Sequence, residues 1–180
     1  GSASVLCFPE KSRDVVTKRL SGPAFRPHFF SKEPELAMRE TIQLFFQTTP
    51  YINRDFSENV HPTAVIHSDS VIASTARIGP YAVIASRVEI GDGAVIGAHT
   101  VVECGTKIGA RTVLQPFVYI GPTTDIGSDC EINSFSAIGK EGFGYAHDLK
   151  NNHYRIPHTG RVIIGDRVQL GSNVNGDRGT

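Results

Sequence analysis

Most of the side chains that could do chemistry sit in one stretch, KEGFGYAHDLKNNHYRIPHTGR, residues 140–161. It holds three of the seven histidines, His147, His153 and His158. A neutral imidazole can accept a proton or ligate a metal. His153 and His158 are five apart and could supply two of the three nitrogens of an open zinc site. The plainer reading gives all three to the loop or to contacts between subunits, and no metal is expected. In the same stretch, Gly142, Phe143, Gly144 and Tyr145 alternate glycine with aromatic rings. Two rings on a backbone that glycine lets approach closely could wall a substrate groove. They could equally anchor the loop on a neighbouring surface. Elsewhere the signals are weaker. Cys104 has no base beside it in sequence, Cys130 reads as core, and Asp177-Arg178 reads as an ion pair or turn before Gly179. His67 and His99 read as outward, solvated residues.

These residues need a frame, and the frame is a repeat. Every sixth residue from Ile66 to Ile138 is aliphatic, thirteen in succession. Two residues earlier the side chain is always small or β-branched, from Ala64 to Ser136. Glycine follows the aliphatic residue in seven of the thirteen hexads. A helix repeats near 3.6 and a lone strand at 2, so a period of six demands a short strand plus a turn. Both marked positions then point inward, because strand side chains alternate. Glycine after the aliphatic residue is expected to relax the corner. Three hexads close a triangular coil, and coils stack about 4.8 Å apart, which gives roughly 20 Å of prism. The rhythm breaks after Ile138 and resumes at Ile164 and Leu170. One beat later Gly176 stands where an aliphatic residue is due. The excursion at 140–161 is where function is expected, as in other loops thrown from solenoids.

Composition limits the alternatives. Lys plus Arg and Asp plus Glu each number 18, so no excess charge points to nucleic acid or a membrane surface. Three cysteines without CxxC spacing suit a reducing compartment. No apolar run nears the ~20 residues of a membrane span. Gly1-Ser2 looks like a tag remnant, so the sequence is silent on any leader. Residues 1–58 are expected to form a partial α/β segment and linker. It would have strands at SVLCF and FRPHFF and a helix in SKEPELAMRETIQLFFQ, with Met38, Ile42 and Phe45 on one face. Its expected role is to cap the first coil's open edges. Residues 59–180 are expected to form the β-helix.

The hexads, then GFGYA at 142–146, RIPHTGRVIIGDRVQLG at 155–171 and DRG at 177–179, resemble the UDP-3-O-acylglucosamine N-acyltransferase family of lipid A biosynthesis. The resemblance implies a mainly β fold, a left-handed parallel β-helix of hexapeptide repeats that assembles as a homotrimer in the cytoplasm. It implies transfer of a 3-hydroxyacyl chain from acyl carrier protein to the 2-amino group of a UDP-linked sugar, with no metal and no organic cofactor. In that family a histidine is the general base, and backbone N–H groups stabilise the oxyanion. That histidine lies beyond DRG, so no catalytic residue is assigned here. The family's uracil-binding aromatics and carrier-protein helices also have no counterpart. The 180 residues are therefore expected to show little or no acyl transfer by themselves.

Two other readings stand beside this one. A shortened, non-catalytic paralogue would be a trimeric scaffold or binding module. A different hexapeptide-repeat acetyl- or acyltransferase would share the coil and take another substrate. Carbonic anhydrases built on the same repeat draw zinc ligands from regular coils of adjacent subunits, which argues against a zinc site in the loop.

Overall fold

The computed structural model describes residues 6–14, 28–45 and 59–180. The chain divides into two compact units, Gly1–Thr49 and Pro50–Thr180. In the first unit, strands Leu6–Pro9 and His28–Ser31 pair in parallel. The helix spans Pro34–Phe45, and proline opens it as its fixed φ favours. The Ser31 hydroxyl accepts from the Glu33 N–H at 3.0 Å just ahead of it. Met38 is half exposed, while the side chains of Ile42 and Phe45 and most of the expected linker lie outside the described residues. The Arg13 guanidinium pairs with Glu10 and lies 4.5 Å over the Phe30 ring.

In the second unit the chain winds into a three-faced parallel β-helix. Each hexad contributes a two-residue strand, and strands 18 residues apart pair in register: Val65 with Val83, Val83 with Val101, Val101 with Tyr119. One face holds six strands and the other two hold five each. Inside, Ile78, Ile84, Ile96, Leu114, Ile120, Ile132 and Ile138 are fully buried, each worth about 1.5–3 kcal/mol of transfer free energy. The residues two before them, Ala76 through Ser136, are buried with them, as the alternation requires. Several carry hydroxyls, which must be satisfied when buried. Thr100, Thr106, Thr112 and Ser136 donate to carbonyls of the adjacent coil, those of Gln115, Gly121, Gly127 and Gly171, at 2.7–3.0 Å. The hydroxyls thus form bonds between coils.

The corners correct one expectation. The bend that needs φ above zero falls three residues after the aliphatic beat, mostly on residues other than glycine: Tyr81, Arg87, His99, Arg111, Phe117, Thr123, Asp129 and Phe135. The glycine after the beat is there for a different reason. A Cβ at Gly97 would come 2.5 Å from the Pro116 nitrogen of the next coil, so only hydrogen fits. Coil stacking, rather than corner geometry, selects this glycine in the inner coils; Gly139 instead takes a positive φ, and at Gly165 and Gly171, in the outermost coil, a Cβ would meet nothing within 4 Å.

Corner residues also stack along the axis. Tyr81, His99, Phe117 and Phe135 form a continuous ladder, with centroids 5.0, 4.9 and 5.3 Å apart and planes within 19°. His99 is exposed as expected, but it is one rung of this ladder.

Candidate functional site

The coil lets the chain out at Gly139. Strand Ala137–Glu141 starts in register over Tyr119 and Ile120, and then shifts by a bulge between Ile138 and Lys140. Gly139 takes φ +78°, and its carbonyl turns onto the Cα of Gly121, where a Cβ would collide with it. Thr124 loses its partner as a result. Among the described residues its buried hydroxyl has no hydrogen-bond partner, whereas the equivalent threonines reach the next coil's carbonyl. Bulges of this kind re-aim a strand. Here the strand is aimed outward into GFGY.

The excursion ends in an antiparallel hairpin of Tyr145–His147 and His153–Arg155. Its turn is built on Asp148. One carboxylate oxygen accepts from the N–H groups of Lys150 and Asn152, the other from the Asn152 amide and the Tyr154 hydroxyl, at 2.8–3.1 Å. These donors, the Asn152 amide foremost, hold the Asp148 carboxyl below its usual range.

At the hairpin's base the chain returns through Ile156-Pro157-His158. The His158 imidazole lies against the backbone of Gly142 and Gly144. A Cβ on Gly142 would meet it at 2.9 Å, which explains that glycine. The backbone of His158 is held on both sides: its N–H faces Glu141 Oε1 at 3.4 Å, and its carbonyl accepts from Arg178 Nε at 2.8 Å. Glu141 also pairs with Arg155 at 2.8 Å. Strand Asn175–Arg178 lies beside Ala137–Glu141, where Asp177 pairs with Lys140 at 3.0 Å. The DRG motif therefore ties down the exit and the return of the excursion. Among the described residues, the buried Nδ1 of His158 has no hydrogen-bond partner.

Four residues named from sequence, Gly142, Phe143, Gly144 and Tyr145, lie together at the mouth of this excursion. Phe143 is 88% exposed, and its ring meets Tyr145 edge-on at 5.2 Å. The two histidines five apart separate in space by role. His153 faces His147 across the hairpin, with ring centroids 4.4 Å apart, and His158 packs on the glycines. Among the described residues, no three His, Cys, Asp or Glu side chains gather around one point. Cys130 is buried, its thiol 3.1 Å from the Gly165 carbonyl. Sequence reasoning missed Glu141, Arg155 and the seat of His158. Their partners are 14 to 20 positions away and follow no period.

Gly176 pairs with Ile138 in register, and a Cβ there would make ordinary contact at 3.5 Å from the Ile138 Cδ1. Space therefore does not dictate glycine at this position.

Comparison with known proteins gives three kinds of match. The GMPPB C-terminal domain family matches residues 60–142. A UDP-3-O-acylglucosamine N-acyltransferase of Methylococcus capsulatus is 46% identical over 96% of this chain and 52% of its own length. The enzymes of that name from Polynucleobacter asymbioticus and Coxiella burnetii are 31% and 45% identical, over 86% and 67% of this chain. The chain spans about half, or less, of these curated relatives: 52%, 43% and 35%. Among solved structures, a mutant GDP-perosamine N-acetyltransferase of Caulobacter crescentus with CoA and GDP-perosamine matches at 13% identity and a TM-score of 0.33. It covers 93% of this chain and 69% of its own, a likeness too slight to carry an argument. Along nearly its whole length, this chain is a relative of the UDP-3-O-acylglucosamine N-acyltransferases and spans about half of the relative from Methylococcus capsulatus.

Proposed function

We propose that these residues are the β-helical part of an N-acyltransferase that moves a 3-hydroxyacyl chain from acyl carrier protein to the 2-amino group of a UDP-linked 3-O-acylglucosamine. The reaction belongs to lipid A assembly and takes place in the cytoplasm, in a homotrimer of left-handed β-helices. The observation that carries this reading is the 46% identity over 96% of the chain. No helix among the described residues is long and apolar enough to cross a membrane.

In this reading the amine attacks the thioester carbonyl, loses a proton to a general base, and the carrier thiol leaves. The chain contributes position. The prism fixes the bulge at Gly139, and the bulge aims GFGY outward. Gly142, Phe143, Gly144 and Tyr145 then form one wall of the substrate groove, with Phe143 and Tyr145 supplying apolar and aromatic surface. No described residue is assigned as the base, and the chemistry requires neither a metal nor an organic cofactor.

A hybrid enzyme tests the proposal. These residues replace the aligned half of the Methylococcus capsulatus relative, and acyl transfer to the UDP-sugar is measured. We expect activity within about tenfold of the parent, and a rise in KM on replacing Phe143 and Tyr145 by alanine. A folded, trimeric hybrid that transfers nothing would favour the scaffold reading. The 180-residue chain alone is expected to turn over little or no substrate, and a rate near the parent's would overturn that expectation.

A further inference from the structure

The hairpin sets two imidazoles side by side. His147 and His153 are direct partners in its antiparallel register. The neighbouring pairs carry the hydrogen bonds: the Asp148 N–H donates to the Asn152 carbonyl, and the Ile156 N–H to the Gly144 carbonyl. His147 and His153 are therefore a non-hydrogen-bonded pair, the arrangement that brings opposite side chains closest on one face. Both are exposed. Their ring centroids are 4.4 Å apart and their planes 73° inclined.

We propose that His147 and His153 form a two-imidazole site for a late divalent transition metal, with Cu2+ the strongest binder. A metal–nitrogen bond of about 2.0 Å puts each ring centroid about 3.1 Å from the ion. Two ligands at a right angle then have centroids about 4.5 Å apart, and two at the tetrahedral angle about 5.1 Å. The observed 4.4 Å fits the right angle. Right-angled nitrogen sites suit Cu2+ and Ni2+, and affinity peaks at Cu2+ in the divalent series.

Two further features favour binding. The Asp148 network fixes the turn between the histidines, so little ordering remains to be done when the ion arrives. Arg155, on the same face as the pair, has its charge engaged by Glu141 at 2.8 Å. His158 is not a third ligand, because its imidazole lies on Gly142 and Gly144. Water or a group from another molecule completes the sphere. The site is independent of the acyl-transfer reading and needs no step of that reaction.

The test is a titration of the full chain with Cu2+, followed by electron paramagnetic resonance and calorimetry at neutral pH. One ion should bind per chain in the micromolar range, with hyperfine structure from two nitrogens. His147→Ala and His153→Ala should each weaken binding about tenfold or more, and His158→Ala should leave it unchanged. Circular dichroism checks that the variants keep the β-helix. Binding that survives the double variant H147A/H153A would overturn the site. So would a wild-type chain that binds nothing below millimolar Cu2+.

Discussion

The prism and the excursion keep their shapes by opposite means. In the prism, the inner coils repeat the same burial, and the inward aliphatic residues from Ile78 to Ile138 are almost wholly hidden, while those of the two end coils are partly buried. In the hairpin of the excursion every side chain is exposed, and Leu149 at its tip is fully so. The excursion holds through a few polar centres instead: Asp148 in the turn, Glu141 with Arg155 at the base, and Arg178 on the His158 carbonyl. One region is over-determined and tolerant of no change in volume. The other rests on a handful of named bonds and leaves its surface free to vary. A rigid frame that presents a variable loop is the usual division between stability and function.

That contrast can be broken at graded cost. The largest effect belongs to Ile120→Ala, which empties a slot at the centre of the prism. It should cost about 2–5 kcal/mol in urea unfolding, and a cost under about 1 kcal/mol would show that the core is not close-packed. Gly97→Ala comes next. Its methyl meets the backbone of the next coil, and about 1–3 kcal/mol should be lost although a buried apolar group is added.

In the excursion the effects should become local. Asp148→Asn should speed amide exchange at Lys150 and Asn152 and leave the urea midpoint of the prism in place. The same carboxylate gives the turn a pH dependence. Its pKa is lowered in the fold, so its contribution is complete above the unfolded value of about 3.9 and fades as pH falls through the folded one. The difference in Lys150 and Asn152 amide protection between wild type and Asp148→Asn should therefore persist as pH is lowered to about 5 and shrink only in stronger acid. The smallest effect is that of Leu149→Ala, expected within about 0.5 kcal/mol of wild type. A larger loss would mean that the exposed tip packs against something in solution.

What the sequence disclosed follows the same division. The hexads declare the coil because burial repeats with the geometry. The inward place of Ala76 or Thr100 is as readable as that of Ile78. Sequence reasoning missed the aromatic ladder and reads His99 as merely solvated, although Tyr81, His99, Phe117 and Phe135 stand 18 apart, the length of the coil that three hexads imply. The role of the post-beat glycines was misread, because a contact with the next coil leaves no local mark. The seat of His158 was out of reach, since it depends on where a loop returns. GFGY could be named as a candidate because its composition is unusual in a hexad chain, although nothing in it tells that Phe143 faces solvent.

Across the excursion the pairing step grows from 18 residues to 38, yet Asp125 meets Ile163 and Glu131 meets Gln169 in the old phase. The coil does not register how long the detour was. Such a detour behaves like an interchangeable cartridge. Its contents can be lengthened, shortened or exchanged between relatives, provided that the chain re-enters on the same beat. Specificity could then drift within one scaffold without passing through unfolded intermediates, and a designer could use the same port.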